Sequence, residues 1–247
     1  VWESSENLGG AAATDYDIFV ATSLDNGTTW TAPDLLNSNG ASDSGSDSKP
    51  RISTDGEGNW VVLWQSGDTL GGTVGIDKDI FVSTSGDNGA NWSALAVLNS
   101  NATTDSASDS YPELATDGEG NWGAVWHSHE DLGGIAGTDW DIFFATSVDN
   151  GTTWTAPDLL NTNGTSDSGT DRYAHLAMDS AGNWVAVWHS NENMSSAGTD
   201  TDIFVSTSAD SGESWSAPAV LNSNAASDSG ADTDPQLSTD GLGNWVA

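Results

Sequence analysis

Four polar stretches of this 247-residue chain carry aspartates four residues apart: Asp43 and Asp47, Asp105 and Asp109, Asp167 and Asp171, Asp228 and Asp232. Carboxylate oxygens on flexible Ser- and Gly-rich backbone are hard ligands, of which calcium takes about 6–8. Calcium is therefore the cofactor these loops point to. A solvated acidic surface is the alternative, because the twelve-residue order and terminal Glu of an EF-hand are missing. Further pairs, Asp15/Asp17, Asp77/Asp79, Asp139/Asp141 and Asp200/Asp202, place their second member where an apolar run begins, which reads as a strand cap or edge charge. His127 and His129, beside Glu130 and Asp131, have transition-metal donors, but Glu3 and Gln65 stand where His127 and His189 do in other units, which favours plain surface-loop residues. Trp140, whose equivalents are Tyr16, Lys78 and Thr201, departs from the pattern of the other tryptophans. With Tyr16 it is the candidate for stacking on a sugar ring. Asn26, Asn91, Asn101, Asn150, Asn163 and Asn193 begin N-glycosylation sequons.

The charge balance narrows the partners. With 4 Lys+Arg against 37 Asp+Glu the formal net charge is −33. Nucleic acid and anionic membrane surfaces would meet almost no positive charge. No apolar run reaches the roughly 18 residues of a membrane span. The absence of cysteine removes disulfides and thiolate metal sites and fits an extracellular protein.

The elements that must position these residues form a repeat. DIFVATSLDNGTTWTAPDLLN at 17–37 recurs in close variants at 79–99, 141–161 and 202–222, and Trp2, Trp64, Trp126 and Trp188 stand 62 residues apart. The units run over about 1–50, 51–112, 113–174 and 175–235, with 236–247 beginning the next, as one repeat domain. Each unit has two short apolar pairs around tight turns, DGEGN at 117–121 and VDNGT at 148–152, where Asn-Gly is a strong hairpin signal. Along 60–64, Trp60, Val62 and Trp64 face one way and Val61 and Leu63 the other, so the sheet is apolar on both faces and needs cover on both. No 3.6-residue apolar period persists. The prediction is an all-β chain, a β-propeller-like array of four-stranded antiparallel blades. Joining Ala247 to Val1 restores a strand, so either a closed four-bladed ring or a window on a longer array fits, and the longer array or fibre is the expectation.

Four segments fit Ser-x-Asp-x-Gly-x-x-Trp: Ser23, Asp25, Gly27 and Trp30; Ser85, Asp87, Gly89 and Trp92; Ser147, Asp149, Gly151 and Trp154; Ser208, Asp210, Gly212 and Trp215. This resembles the Asp-box, or BNR repeat, of sialidase-like β-propellers. The resemblance implies that the motif is a structural hairpin remote from the active face. The residues agree: Asp accepts from turn amides, Gly takes positive φ and Trp packs between sheets.

In an up-and-down meander both long loops of a unit emerge opposite its tight hairpins, so function is expected among the long loops. Sialidases of this resemblance use three arginines, a Tyr nucleophile and an acidic partner, and this chain has only Arg51 and Arg172. Near-uniform repeats also leave few residues that differ from their equivalents. The sequence therefore points to an extracellular, non-catalytic structural or adhesive module whose acidic loop face binds cations or glycans, with self-assembly head to tail as a further partner mode. The alternative is a sialidase-like or other glycoside hydrolase, which needs two suitably spaced carboxylates.

Overall fold

A computed structural model describes all residues except 11, 13, 44, 195, 196, 199 and 228. It contains five antiparallel sheets and, among the described residues, no α-helix. Strands β1 (Trp2–Ser4), β2 (Asp17–Val20) and β3 (Asp34–Leu35) form the first. Strands β4 (Asp47–Thr54), β5 (Trp60–Ser66), β6 (Asp79–Ser85) and β7 (Ala96–Val97) form the second. The third holds β8 (Ser110–Thr116), β9 (Trp122–Ser128), β10 (Asp141–Ser147) and β11 (Asp158–Leu159). The fourth holds β12 (Arg172–Met178), β13 (Trp184–Ser190), β14 (Asp202–Ser208) and β15 (Ala219–Val220), and β16 (Ser238–Thr239) pairs with β17 (Trp245–Val246). Strand order follows chain order, as in propeller blades.

The two-faced apolar pattern is used as expected. Val62 and Trp64 join Ile18, Val20 and Leu36 of the first sheet in one core, while Val61 and Leu63 join Trp122, Ala124 and Trp126 of the third in the next. A third core lies between the third and fourth sheets, where Val125, Ile142 and Phe144 meet Trp184, Trp188 and Leu176. Each fully buried aliphatic side chain contributes about 1.5–3 kcal/mol. The tryptophans divide by position. Trp92, Trp154 and Trp215 pack into these cores, whereas Trp30 is 63% exposed.

In each four-stranded sheet both hairpin turns lie at one end and both long loops at the other. The innermost strands β4, β8, β12 and β16 pack side by side around an axis, with β1 against β4, and β16 and β17 do not touch β1–β3. Each Asp-box closes its own hairpin: Asp149 Oδ1 accepts from Thr153 N at 2.8 Å and from Ser147 Oγ at 2.9 Å, and Gly151 takes φ 75°. Turn 55–59 repeats the device, with Asp55 Oδ1 accepting from Glu57 N at 2.8 Å and Asn59 N at 3.1 Å. These bonds stabilise the ionised form, holding Asp25 and Asp210 at about 2 through Thr29, Ser23, Ser214 and Ser208.

Candidate functional site

Two arrangements gather chemically capable residues, both at the long-loop end. The first surrounds the axis. Each full innermost strand begins with a bulge, between Ser48 and Arg51, Ser110 and Glu113, and Arg172 and His175. The extra residue adopts the left-handed conformation, with φ 58° at Lys49, 55° at Tyr111 and 52° at both Tyr173 and Asp234. Its N–H, freed from the ladder, donates to the preceding sheet: Lys49 N to Glu3 Oε2 at 2.6 Å, Tyr111 N to Gln65 Oε1 at 2.8 Å, Tyr173 N to His127 Nδ1 at 3.3 Å, and Asp234 N to His189 Nδ1 at 3.3 Å. Glu, Gln and His alternate there because the position requires an acceptor. His127 is therefore no surface-loop residue: it is 3% exposed, and burial, with Arg172 and His189 nearby, lowers it to about 3, so Nδ1 stays free to accept.

Around these bulges stand residues that differ between otherwise similar repeats: Lys-Pro-Arg at 49–51, Tyr-Pro-Glu at 111–113, Tyr-Ala-His at 173–175 and Asp-Pro-Gln at 234–236. Eight of these twelve, Arg51, Tyr111, Glu113, Tyr173, Ala174, Asp234, Pro235 and Gln236, line a cavity of about 200 Å³. Arg51 Nε donates to Glu113 Oε1 at 2.5 Å, and the Tyr111 and Tyr173 rings meet edge to face at 4.6 Å. His175 is pushed down by burial, and its Nδ1 has no hydrogen-bond partner. Trp140 borders this cluster, with the Arg172 guanidinium 4.4 Å from its ring centroid and His129 at 4.8 Å. Tyr16, 49% exposed, stands two sheets away, so the structure does not bring the two stacking candidates together. Larger clefts at the hairpin end, such as one of about 420 Å³ beside Leu24, Asn88 and Trp92, hold only carboxylates engaged in turns or strand edges.

The second arrangement repeats from sheet to sheet along the array. Atoms of Asp77, Asp79 and Asp105 lie within 4.8 Å of one another, as do those of Asp139, Asp141 and Asp167, and of Asp17, Asp43 and Asp47. Three charges so close repel by about 3 kcal/mol per pair at an effective dielectric near 20. Burial, reinforced by this repulsion, raises Asp43, Asp105 and Asp167 to about 7, Asp79 to about 6 and Asp141 to about 8. The pairs four residues apart thus divide. Asp105 and Asp167 meet Asp77/Asp79 and Asp139/Asp141, whereas Asp109 and Asp171 are buried beneath them, accepting from Asn99 and Asn161 Nδ2 at 2.7 and 2.8 Å. Those asparagines, with Asn37 and Asn222, each bridge two aspartates; Asn37 Nδ2 donates to Asp17 Oδ1 at 2.7 Å and Asp47 Oδ2 at 2.6 Å. Asp79 and Asp141, expected as strand caps or edge charges, do open their strands opposite Ser66 and Ser128, but they are fully buried members of these clusters because the flanking loops that carry Asp105 and Asp167 cover them. Asp232 accepts from Asn222 at 2.8 Å, and Asp228 lies outside the described residues.

The sequons differ in setting. Asn26 and Asn91 are exposed, though Asn91 Nδ2 donates to Asp87 at 2.7 Å; Asn101 and Asn163 turn inward to Asp105 and Asp167. Asn150 takes φ 57° in its turn, and Asn193 Oδ1 accepts from Gly198 N at 3.1 Å.

No protein-family model and no curated protein matches the chain. Solved structures do. An intramolecular trans-sialidase from leech, complexed with 2,7-anhydro-Neu5Ac, superposes with TM-score 0.56 at 14% identity, covering 85% of this chain and 46% of its own. A Penicillium chrysogenum α-L-arabinanase complexed with arabinobiose gives 0.53 at 13%, covering 92% and 60%. A Hadza microbial sialidase gives 0.50 at 17%, covering 68% and 36%. The chain therefore spans between about a third and three fifths of the length of these proteins, and the likeness establishes the fold alone: a propeller-like array of antiparallel blades such as these glycosidases have. Among the described residues no helix is long and apolar enough to cross a membrane.

Proposed function

We propose that this chain, an Asp-box propeller array by fold, is a non-catalytic glycan-binding module acting outside the cell in an adhesive role, with the axial cleft as its sugar site. One observation carries this reading: the residues that break the repeat converge on that cleft. Uniform repeats supply scaffold, Tyr111 and Tyr173 supply aromatic faces beside the polar groups Arg51, Glu113, Asp234 and Gln236 that a hydroxylated ring requires, and Trp140, stacked by Arg172, borders them. At about 200 Å³ the cleft suits a terminal sugar unit rather than a long segment. Arg51 is committed to Glu113, which leaves Arg172, stacked on Trp140, and no arginine triad. The lack of cysteine and the acidic surface support the extracellular setting.

Titrating neutral and sialylated oligosaccharides into the protein tests it. Saturable binding without turnover is expected, weakened about tenfold by Tyr111→Ala or Trp140→Ala with melting behaviour preserved. Glycoside hydrolysis is the second reading, favoured because Glu113 and Asp234 line one cleft and the similar structures include an arabinanase and a trans-sialidase. Turnover abolished by Glu113→Gln would establish it instead.

A further inference from the structure

Apart from the proposed sugar site, the second and third sheets each gather oxygen atoms that have no proton to accept. Asp79 is fully buried; its Oδ1 accepts from Asn99 at 2.7 Å, and its Oδ2 has no hydrogen-bond partner. The buried Oδ1 atoms of Asp105 and Asn101 have none either, and the carboxylates of Asp77, Asp79 and Asp105 approach within 4.8 Å. The third sheet repeats the arrangement 62 residues on: the Oδ2 of fully buried Asp141 is unpartnered, as are the Oδ1 atoms of Asp167 and Asn163. A buried carboxylate oxygen with neither donor nor counter-charge is strongly disfavoured. Among the described residues no lysine or arginine forms an ion pair with these carboxylates; the one ion pair is Arg51–Glu113 at the axis.

Every ligand atom in each cluster is a hard oxygen, all three residues are carboxylic side chains that a cation would hold ionised, and no imidazole joins them. That donor set suits calcium over zinc or copper, and a loop-borne site suits it over magnesium, which demands near-ideal octahedral geometry. We propose that the second and third sheets each bind one calcium ion, through Asp77, Asp79 and Asp105 and through the equivalent Asp139, Asp141 and Asp167, with the Asn101 or Asn163 carbonyl as a further donor. The ion clamps the loop between the second and third strands of a sheet to the loop that leaves its fourth.

Calorimetric titration of calcium chloride into the chelator-treated full chain tests this. Saturable uptake of two or more ions is expected, with Asp105→Asn and Asp167→Asn each lowering the number by one. Calcium at a hundredfold excess over Kd raises Tm by about 5 °C or more, and sodium chloride at equal ionic strength does not. Each Asn variant, keeping its neighbour's hydrogen bond but shedding a charge, melts higher than wild type in chelator and lower in calcium. Uptake of fewer than two ions, unchanged stoichiometry in the variants, an equal shift with sodium chloride, or variants destabilised alike in both conditions would overturn the proposal.

Discussion

His127 shows how one side chain holds two sheets together. Its Nδ1 satisfies the N–H of Tyr173, which the bulge has removed from the strand ladder, while its ring stacks on Tyr111 at 5.2 Å. His127→Ala leaves a buried donor unsatisfied and should cost about 1–3 kcal/mol. His127→Gln should be near neutral, because Gln65 performs this task one sheet earlier. The pH dependence follows from the lowered value of about 3, set chiefly by burial. The unfolded imidazole takes a proton near 6.5 while the folded one refuses it until about 3. Stability is thus complete above 6.5 and falls by up to about 1.4 kcal/mol per unit as pH drops through that window. Urea melts at pH 7 and 4.5 should show a steeper acid loss in wild type than in His127→Gln; parallel losses would refute the assignment. The sequence hides this role because its partner is 46 residues away. The clue that was available is the shared acceptor chemistry of Glu3, Gln65, His127 and His189.

The hairpins were legible because their bonds are local. Ser-x-Asp-x-Gly-x-x-Trp closes on itself within a few residues, and the glycine is needed for positive φ. The loops were less so, since Asp105 meets Asp77 and Asp79 across two strands, and the four-residue spacing to Asp109 pointed instead to its sequence neighbour. What the motif alone does not convey is that its turn also wedges between sheets. A Cβ at Gly151 would stand 2.6 Å from Val61 Cγ2 of the second sheet, whereas at Gly27 the nearest atom is 4.0 Å away. Both alanine variants carry the left-handed strain of about 1–2 kcal/mol. Gly151→Ala should add about 1–3 kcal/mol of overpacking. Chemical denaturation of the two variants checks the difference, and equal losses would show that the Asp-box turn does not help seat one sheet on the next.

At the scale of the whole molecule, the repeat and its two-faced sheets were readable from the sequence because apolar alternation sets the stacking. The axial cleft was not, since its lining residues lie about 60 positions apart in the chain and meet only when the innermost strands of successive sheets pack side by side. Those positions also hold most of the positive charge: Lys49, Arg51 and Arg172 stand at the axis, within a chain of net charge −33. Two fields then compete for an anionic ligand, a short-range attraction to Arg172 and a long-range repulsion from the acidic surface. The Debye length shrinks from about 30 Å at 0.01 M salt to about 8 Å at 0.15 M. Salt should therefore remove the repulsion while sparing contacts made inside the cleft. A sialylated oligosaccharide is expected to bind weakly at 0.01 M sodium chloride and several-fold more tightly at 0.15 M, while a neutral arabino-oligosaccharide keeps the same Kd throughout. Calorimetric titration at the two salt concentrations measures this. An affinity for the sialylated ligand that falls with added salt would mean that the basic residues at the axis govern its approach and that the acidic surface does not.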